Sequence, residues 1–246
     1  MTPPVLTPPK SPLAVRPEHV ASHQTSLRLK QNGSSWSRGD FTVTCEDRSH
    51  AHHHERQAVA EPLASSSRHE VTGPGKKSHN EEHPILFSVK GKVLSLSQKR
   101  TLLDISGLPL FDIFREKWSY DWVIQLPGAS WVKPLARLSL SRPGVLKRTS
   151  DVTVYCRDDK TVELRVQDED IWRRRLNVYL GDKVIITAKR TDKMTPYIPC
   201  KGYEWIVDVA EGVDTSLATA IMVVLATTIG DAGTLGVGGG AGGVGG

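Results

Sequence analysis

The stretch from Thr215 to Ile229, TSLATAIMVVLATTI, carries no charged residue. A helix without a polar face cannot lie on a protein surface, so protein or lipid must surround it. Its start and stop are signalled locally. Asp214 is a good N-cap, because its carboxylate accepts an open backbone N–H and meets the positive dipole end. Gly230 stands where helices commonly terminate. Residues 215–229 rise about 22 Å, short of the ~20 apolar residues that cross a bilayer. The threonines, and acidic flanks (Asp214, Asp231) with no Lys or Arg nearby, also fit an anchor poorly. The reading is a helix buried in protein, with a single-span anchor as the alternative.

The preceding sequence supplies what could surround it. In DVTVYCRDDKTVELRV, Val152, Val154 and Cys156 alternate, RDDK turns, and Val162, Leu164 and Val166 alternate again. RRLNVYLGDKVIITAKR repeats the plan around Gly181–Asp182, and TLLDISGLPLFDIF around Asp104–Gly107. Period-two alternation broken by such turns predicts antiparallel hairpins with one buried face. Adding TSLRLKQ, DFTVTC, ILFSVKGKVLSL and YEWIVDVA makes about a dozen strands. An antiparallel sheet that long curls, and closing it removes its edges.

Composition bounds the domain. The N-terminal stretch MTPPVLTPPKSPLAVRPEHV is Pro-rich, and the chain ends in AGTLGVGGGAGGVGG. Neither offers enough apolar surface to offset the entropy of ordering. The expected organisation is a disordered Pro-rich stretch at 1–12, one domain at 13–231 and a disordered Gly-rich tail at 232–246. The formal charge of +5 is compatible with an anionic partner and with an ordinary basic protein. Cys45, Cys156 and Cys200 are sparse and lack CxxC spacing, which favours a reducing, intracellular location over disulfides or zinc.

The order and spacing of several stretches carry a resemblance. PLAVRPEHVASHQTSLRLKQ, GDFTVTCED, ILFSVKGKVLSLSQKRTLLDISGLPLFDIF and above all YEWIVDVAEGVDTSLATAIMVV resemble the LURP-one-related family, part of the Tubby C-terminal-like superfamily. The last looks like the family's ending: a strand, the Gly212–Val213–Asp214 turn, then the hydrophobic helix. The likeness implies a mostly-β fold, a closed antiparallel barrel of about twelve strands around a central C-terminal α-helix. Tubby proteins bind phosphoinositides and phospholipid scramblases act at membranes, whereas LURP-one-related proteins are linked to plant defence. No motif of Tubby's lipid contacts is visible, so no residue is carried over.

One departure from similar sequences is an insertion from Glu46 to His83, holding most of the nine histidines. His52, His53, His54 and Glu55 are metal-ligand types. A His tract in flexible surroundings lacks the second shell of a specific site, so the favoured reading is a disordered hairpin insertion or retained non-coding sequence, with no metal.

No histidine follows His83, which removes the commonest general base from most of the domain. No phosphate-binding Gly loop joins a strand to a helix, and Asp168, Glu169 and Asp170 read as a connecting turn. An enzyme, a catalytic residue and a cofactor are therefore not expected. Binding is better supported. Pairing about Gly181–Asp182 brings Arg174 and Arg175 near Lys189 and Arg190. Like charges crowded across strands are unfavourable unless solvent or an anion screens them. With Arg173 and Lys193, these residues form the candidate site for anionic phospholipid headgroups, arginine forks being suited to phosphate. The alternatives are a solvated basic edge and a protein-interaction or transcription-associated scaffold. The expected protein is a cytoplasmic monomer, peripheral at membranes, without nucleic acid as partner.

Overall fold

The computed structural model describes residues 4–32, 39–46, 84–92, 97–117, 119, 121–129, 133–140, 149–156, 160–170, 174–191 and 202–234. Twelve strands follow one another along the chain: β1 (Thr25–Gln31), β2 (Phe41–Cys45), β3 (Ile85–Gly91), β4 (Arg100–Asp104), β5 (Pro109–Arg115) and β6 (Trp122–Gln125). Then come β7 (Ala136–Ser139), β8 (Thr149–Tyr155), β9 (Thr161–Asp168), β10 (Arg175–Leu180), β11 (Lys183–Arg190) and β12 (Glu204–Val209). Each pairs antiparallel with its neighbour in sequence, and β1 pairs with β12, which closes the barrel. Closure leaves no sheet edge among these strands.

Alternation sorts the side chains as expected. Val152 and Val154 on β8, Leu164 and Val166 on β9, and Leu176 and Val178 on β10 point inward and are buried. Cys156, just past β8, packs half-buried against the same core. The β10–β11 turn uses Gly181 at φ 59°, a left-handed conformation that glycine adopts without Cβ strain.

The helix α1 (Thr215–Thr234) runs through the barrel, and every residue from Ser216 to Thr227 is buried. That enclosure explains its uncharged faces: the surrounding strands leave it no polar side. Among the described residues no helix is long and apolar enough to cross a membrane. Asp214 is the cap, its Oδ1 accepting from Ser216 N at 2.9 Å and Leu217 N at 3.1 Å. The expected stop at Gly230 is corrected, since α1 continues through it to Thr234. An interior glycine costs a helix only about 1 kcal/mol. The Thr227 and Thr228 hydroxyls also bond back to Val223 O and Val224 O within the preceding turn.

Part of the stretch 1–12 expected to be disordered, residues 4–12, lies among the described residues and meets the barrel. Thr7 N donates to Val184 O at 2.9 Å, and Leu13 N donates to Gly212 O. Residues 4–24 form a strap across one end of the barrel, with Leu13, Val15 and Ala21 buried. Gly212, at φ 82°, turns the chain beneath it, with the Pro9 ring 3.5 Å from where a Cβ would stand. Asp214 joins strap to helix: its Oδ2 accepts from Val15 N at 3.1 Å and Arg16 N at 2.7 Å. Local composition predicts disorder here because it cannot see apolar residues burying against a distant partner.

Glu46, counted with the insertion, belongs to the barrel wall. Its carboxylate grips Arg28 at 2.6 and 2.7 Å, while Glu204 takes the other side of the guanidinium at 2.8 Å. Hydrogen bonding to Glu46 is the largest cause raising the Arg28 pKa. The remainder of the insertion, 47–83 with His52, His53, His54 and Glu55, lies outside the described residues.

Candidate anion-binding rim

Antiparallel closure gives the barrel two rims. Odd-numbered strands start at the lower rim and even-numbered strands start at the upper one. The helix enters after β12 at the lower rim, beneath the strap, and its C-terminus reaches the upper rim.

The basic hairpin predicted from sequence opens at the upper rim. Arg175 stands opposite Lys189 in the β10–β11 register. Arg190 N donates to Arg174 O at 2.7 Å, so the four expected residues Arg174, Arg175, Lys189 and Arg190 do meet. Arg175 and Lys189 alternate with buried Leu176 and Ala188, which turns them to the outside of the wall. The Arg190 guanidinium lies 4.2 Å from the Tyr203 ring centroid, a cation–π contact that holds it against the wall. Arg173 and Lys193 lie outside the described residues.

The acidic connection between β9 and β10 borders this cluster, yet much of it is engaged elsewhere. Asp170 Oδ1 accepts from Arg174 N at 2.9 Å, closing the loop on itself. The Glu169 carboxylate accepts from the amide nitrogen of Asn177. These bonds use the carboxylates to shape the turn, leaving the long arms of Arg174 and Lys189 exposed.

Sequence reasoning missed further cations on the same rim. Lys30 near the end of β1, Lys90 and Lys92 at the end of β3, and Lys117 after β5 are exposed there. Together with Arg174 and Lys189 they outnumber the exposed acids of that rim among the described residues, Glu169 and, near the start of β8, Asp151. The signal was present in principle, each lysine falling at the end of an odd-numbered strand. Knowing that those ends share a rim requires the strand count and direction. The C-terminus of α1 contributes only about half a negative charge, too little to balance these cations. Among the described residues of the lower rim, exposed Lys10, Lys133 and Lys160 are matched by Glu18, Asp182 and Glu211.

Other cations at or near the upper rim are committed to the fold. Lys99 pairs with buried Asp112 at 2.9 Å, and Arg100 is buried with its guanidinium 5.1 Å from the Trp122 ring.

The LURP-one-related family model matches residues 65–226, more than half of the chain. This protein belongs to the LURP-one-related family. The matched span begins after β2, although β1 and β2 of this LURP-one-related barrel complete the same closed sheet. It is also similar to the X-ray structure of a protein from Arabidopsis thaliana, with a TM-score of 0.52 and 19% sequence identity. That likeness covers 87% of this chain and 97% of the other, and it concerns the fold. No curated protein matches the sequence.

Proposed function

We propose that this LURP-one-related barrel is a non-enzymatic binding module that docks on anionic phospholipid, phosphoinositide included, through its upper rim. The observation that carries the reading is the excess of exposed cations there, set against a balanced lower rim, both among the described residues. A cation near an anionic leaflet is worth about 1 kcal/mol. Reversing both Arg174 and Lys189 to Glu removes two attractions and adds two repulsions, about 4 kcal/mol or roughly a thousandfold in affinity. In this reading the protein is cytoplasmic and peripheral at the membrane.

Vesicle co-sedimentation tests it. The full chain should pellet with phosphoinositide-containing vesicles and not with neutral phosphatidylcholine, and salt should weaken the binding. Arg174→Glu combined with Lys189→Glu should abolish it. Equal recovery with both vesicle types at moderate salt would overturn the reading.

A second reading, a protein-interaction or transcription-associated scaffold, is favoured by a different observation. Four of the exposed large apolar side chains, Ile85, Ile105, Leu108 and Leu126, stand at the lower rim around β3 to β6. Such a group is a protein-docking feature. Loss of a captured partner on Ile105→Asp, with vesicle binding absent throughout, would select this reading.

A further inference from the structure

The strap contains Thr7–Pro8–Pro9–Lys10–Ser11–Pro12, two hydroxyl residues each followed directly by proline. Their settings differ. Thr7 is half-buried, and its backbone N–H is held by Val184 O at 2.9 Å. Ser11 is exposed, as are its neighbours Lys10 and Pro12. It lies between the Thr7 contact and Leu13, whose backbone bonds both Gly212 and Asp214. Residues 4–9 make no helix or strand, and their prolines fix φ in the extended range.

We infer that the strap is a phosphoacceptor segment for proline-directed Ser/Thr kinases, with Ser11 modified in place and Thr7 modified only when residues 4–9 lift from β11. A kinase cleft takes its substrate extended, and a proline after the acceptor brings no N–H that needs a partner. Ser11 has the proline; the chain bends at Lys10 and Ser11, and opening that bend breaks no hydrogen bond of Ser11 to the described residues. Thr7 has the same proline, and Lys10 follows at the third position, but docking it requires breaking the bond to Val184. The transfer itself is ordinary. Ser11 Oγ attacks the γ-phosphorus of ATP, its proton passes to the kinase's base, the bridging P–O bond breaks, and ADP leaves. The product carries about two negative charges at physiological pH. The lower rim, where exposed charges otherwise balance, thereby becomes acidic.

The full chain, incubated with a purified proline-directed kinase and Mg-ATP, is digested and its phosphopeptides are mapped over time. A synthetic peptide of residues 4–15 supplies the unfolded reference. The expected result is modification of Ser11 first, lost in Ser11→Ala and in Pro12→Ala. The ratio of Thr7 to Ser11 modification should be lower in the folded chain than in the peptide. Incorporation only at Thr2 or Thr195, the threonines outside the strap that are followed by proline, would overturn the proposal. So would undiminished modification of Ser11 in Pro12→Ala, or a Thr7 ratio equal to that of the peptide.

Discussion

Asp214 is the residue on which the helix and the strap both depend, and replacing it with Asn separates its two tasks. The carboxylate is fully buried and accepts five hydrogen bonds. Oδ1 serves the helix start, through Ser216 N, Ser216 Oγ and Leu217 N; Oδ2 serves Val15 N and Arg16 N of the strap. Asn keeps an oxygen for the first set but turns an NH2 toward the second, so two N–H groups lose their acceptor and face a donor. Each buried unsatisfied group costs about 1–3 kcal/mol, which makes Asp214→Asn destabilising by about 2–6 kcal/mol. Against a total of about 5–15 kcal/mol, that is a large fraction of the stability. Asp214→Ala loses the cap as well and should be worse by about 1 kcal/mol or more. Urea unfolding measures the totals, and amide exchange separates the halves. In Asp214→Asn the Val15 and Arg16 amides should exchange faster, while those of Ser216 and Leu217 stay protected. An unchanged unfolding midpoint, or loss of protection at Ser216 with Val15 still protected, would refute this division of roles.

Two further outcomes follow from burial and charge. Ile221→Asp or Val224→Asp places an unpaired carboxylate at a fully buried helix position, a cost of several kcal/mol that should leave the chain unfolded by circular dichroism; a folded variant that merely leaves membranes would contradict the buried-helix assignment. Asp104 is hydrogen-bonded first by Ser106 Oγ, and by backbone N–H groups of the β4–β5 turn, which holds its pKa below the ordinary 3.8. Its contribution to the turn is therefore present above pH 3.8 and is lost as the pH falls through the depressed value. Carboxyl NMR should show that low midpoint, and Ser106→Ala should raise it; an unmoved midpoint would contradict the assignment.

Much of this architecture is legible locally because strand and helix periods are local properties. Val152 and Val154 reveal their inward face by spacing alone, and Gly181–Asp182 marks its turn without help from the rest of the chain. The uncharged run after Asp214 likewise announces a helix that needs covering on all sides. The same reasoning brings Arg174 and Arg175 near Lys189 and Arg190, since a two-residue turn starts the register of its hairpin, but the pairing of Arg175 with Lys189 comes from a register shift between Val178 and Tyr179 that the turn does not set.

Other features depend on groups far apart in sequence. Gly230 has the local chemistry of a stop, yet α1 passes through it. The chain begins with the composition of a loose end, but Leu13 and Val15 bury against a turn roughly two hundred positions away, and the Asp214 carboxylate there accepts from the backbone N–H groups of Val15 and Arg16. Lys30, Lys90, Lys92 and Lys117 are scattered lysines in the chain and become neighbours of Arg174 and Lys189 on one rim only when twelve strands close. By itself the sequence determined the elements, the inward faces, the helix cap and one basic hairpin, because neighbouring residues suffice for each. Tertiary structure alone decided the strap, the helix's full length and the membership of the charged rim, because barrel closure and burial are long-range events that no local pattern records.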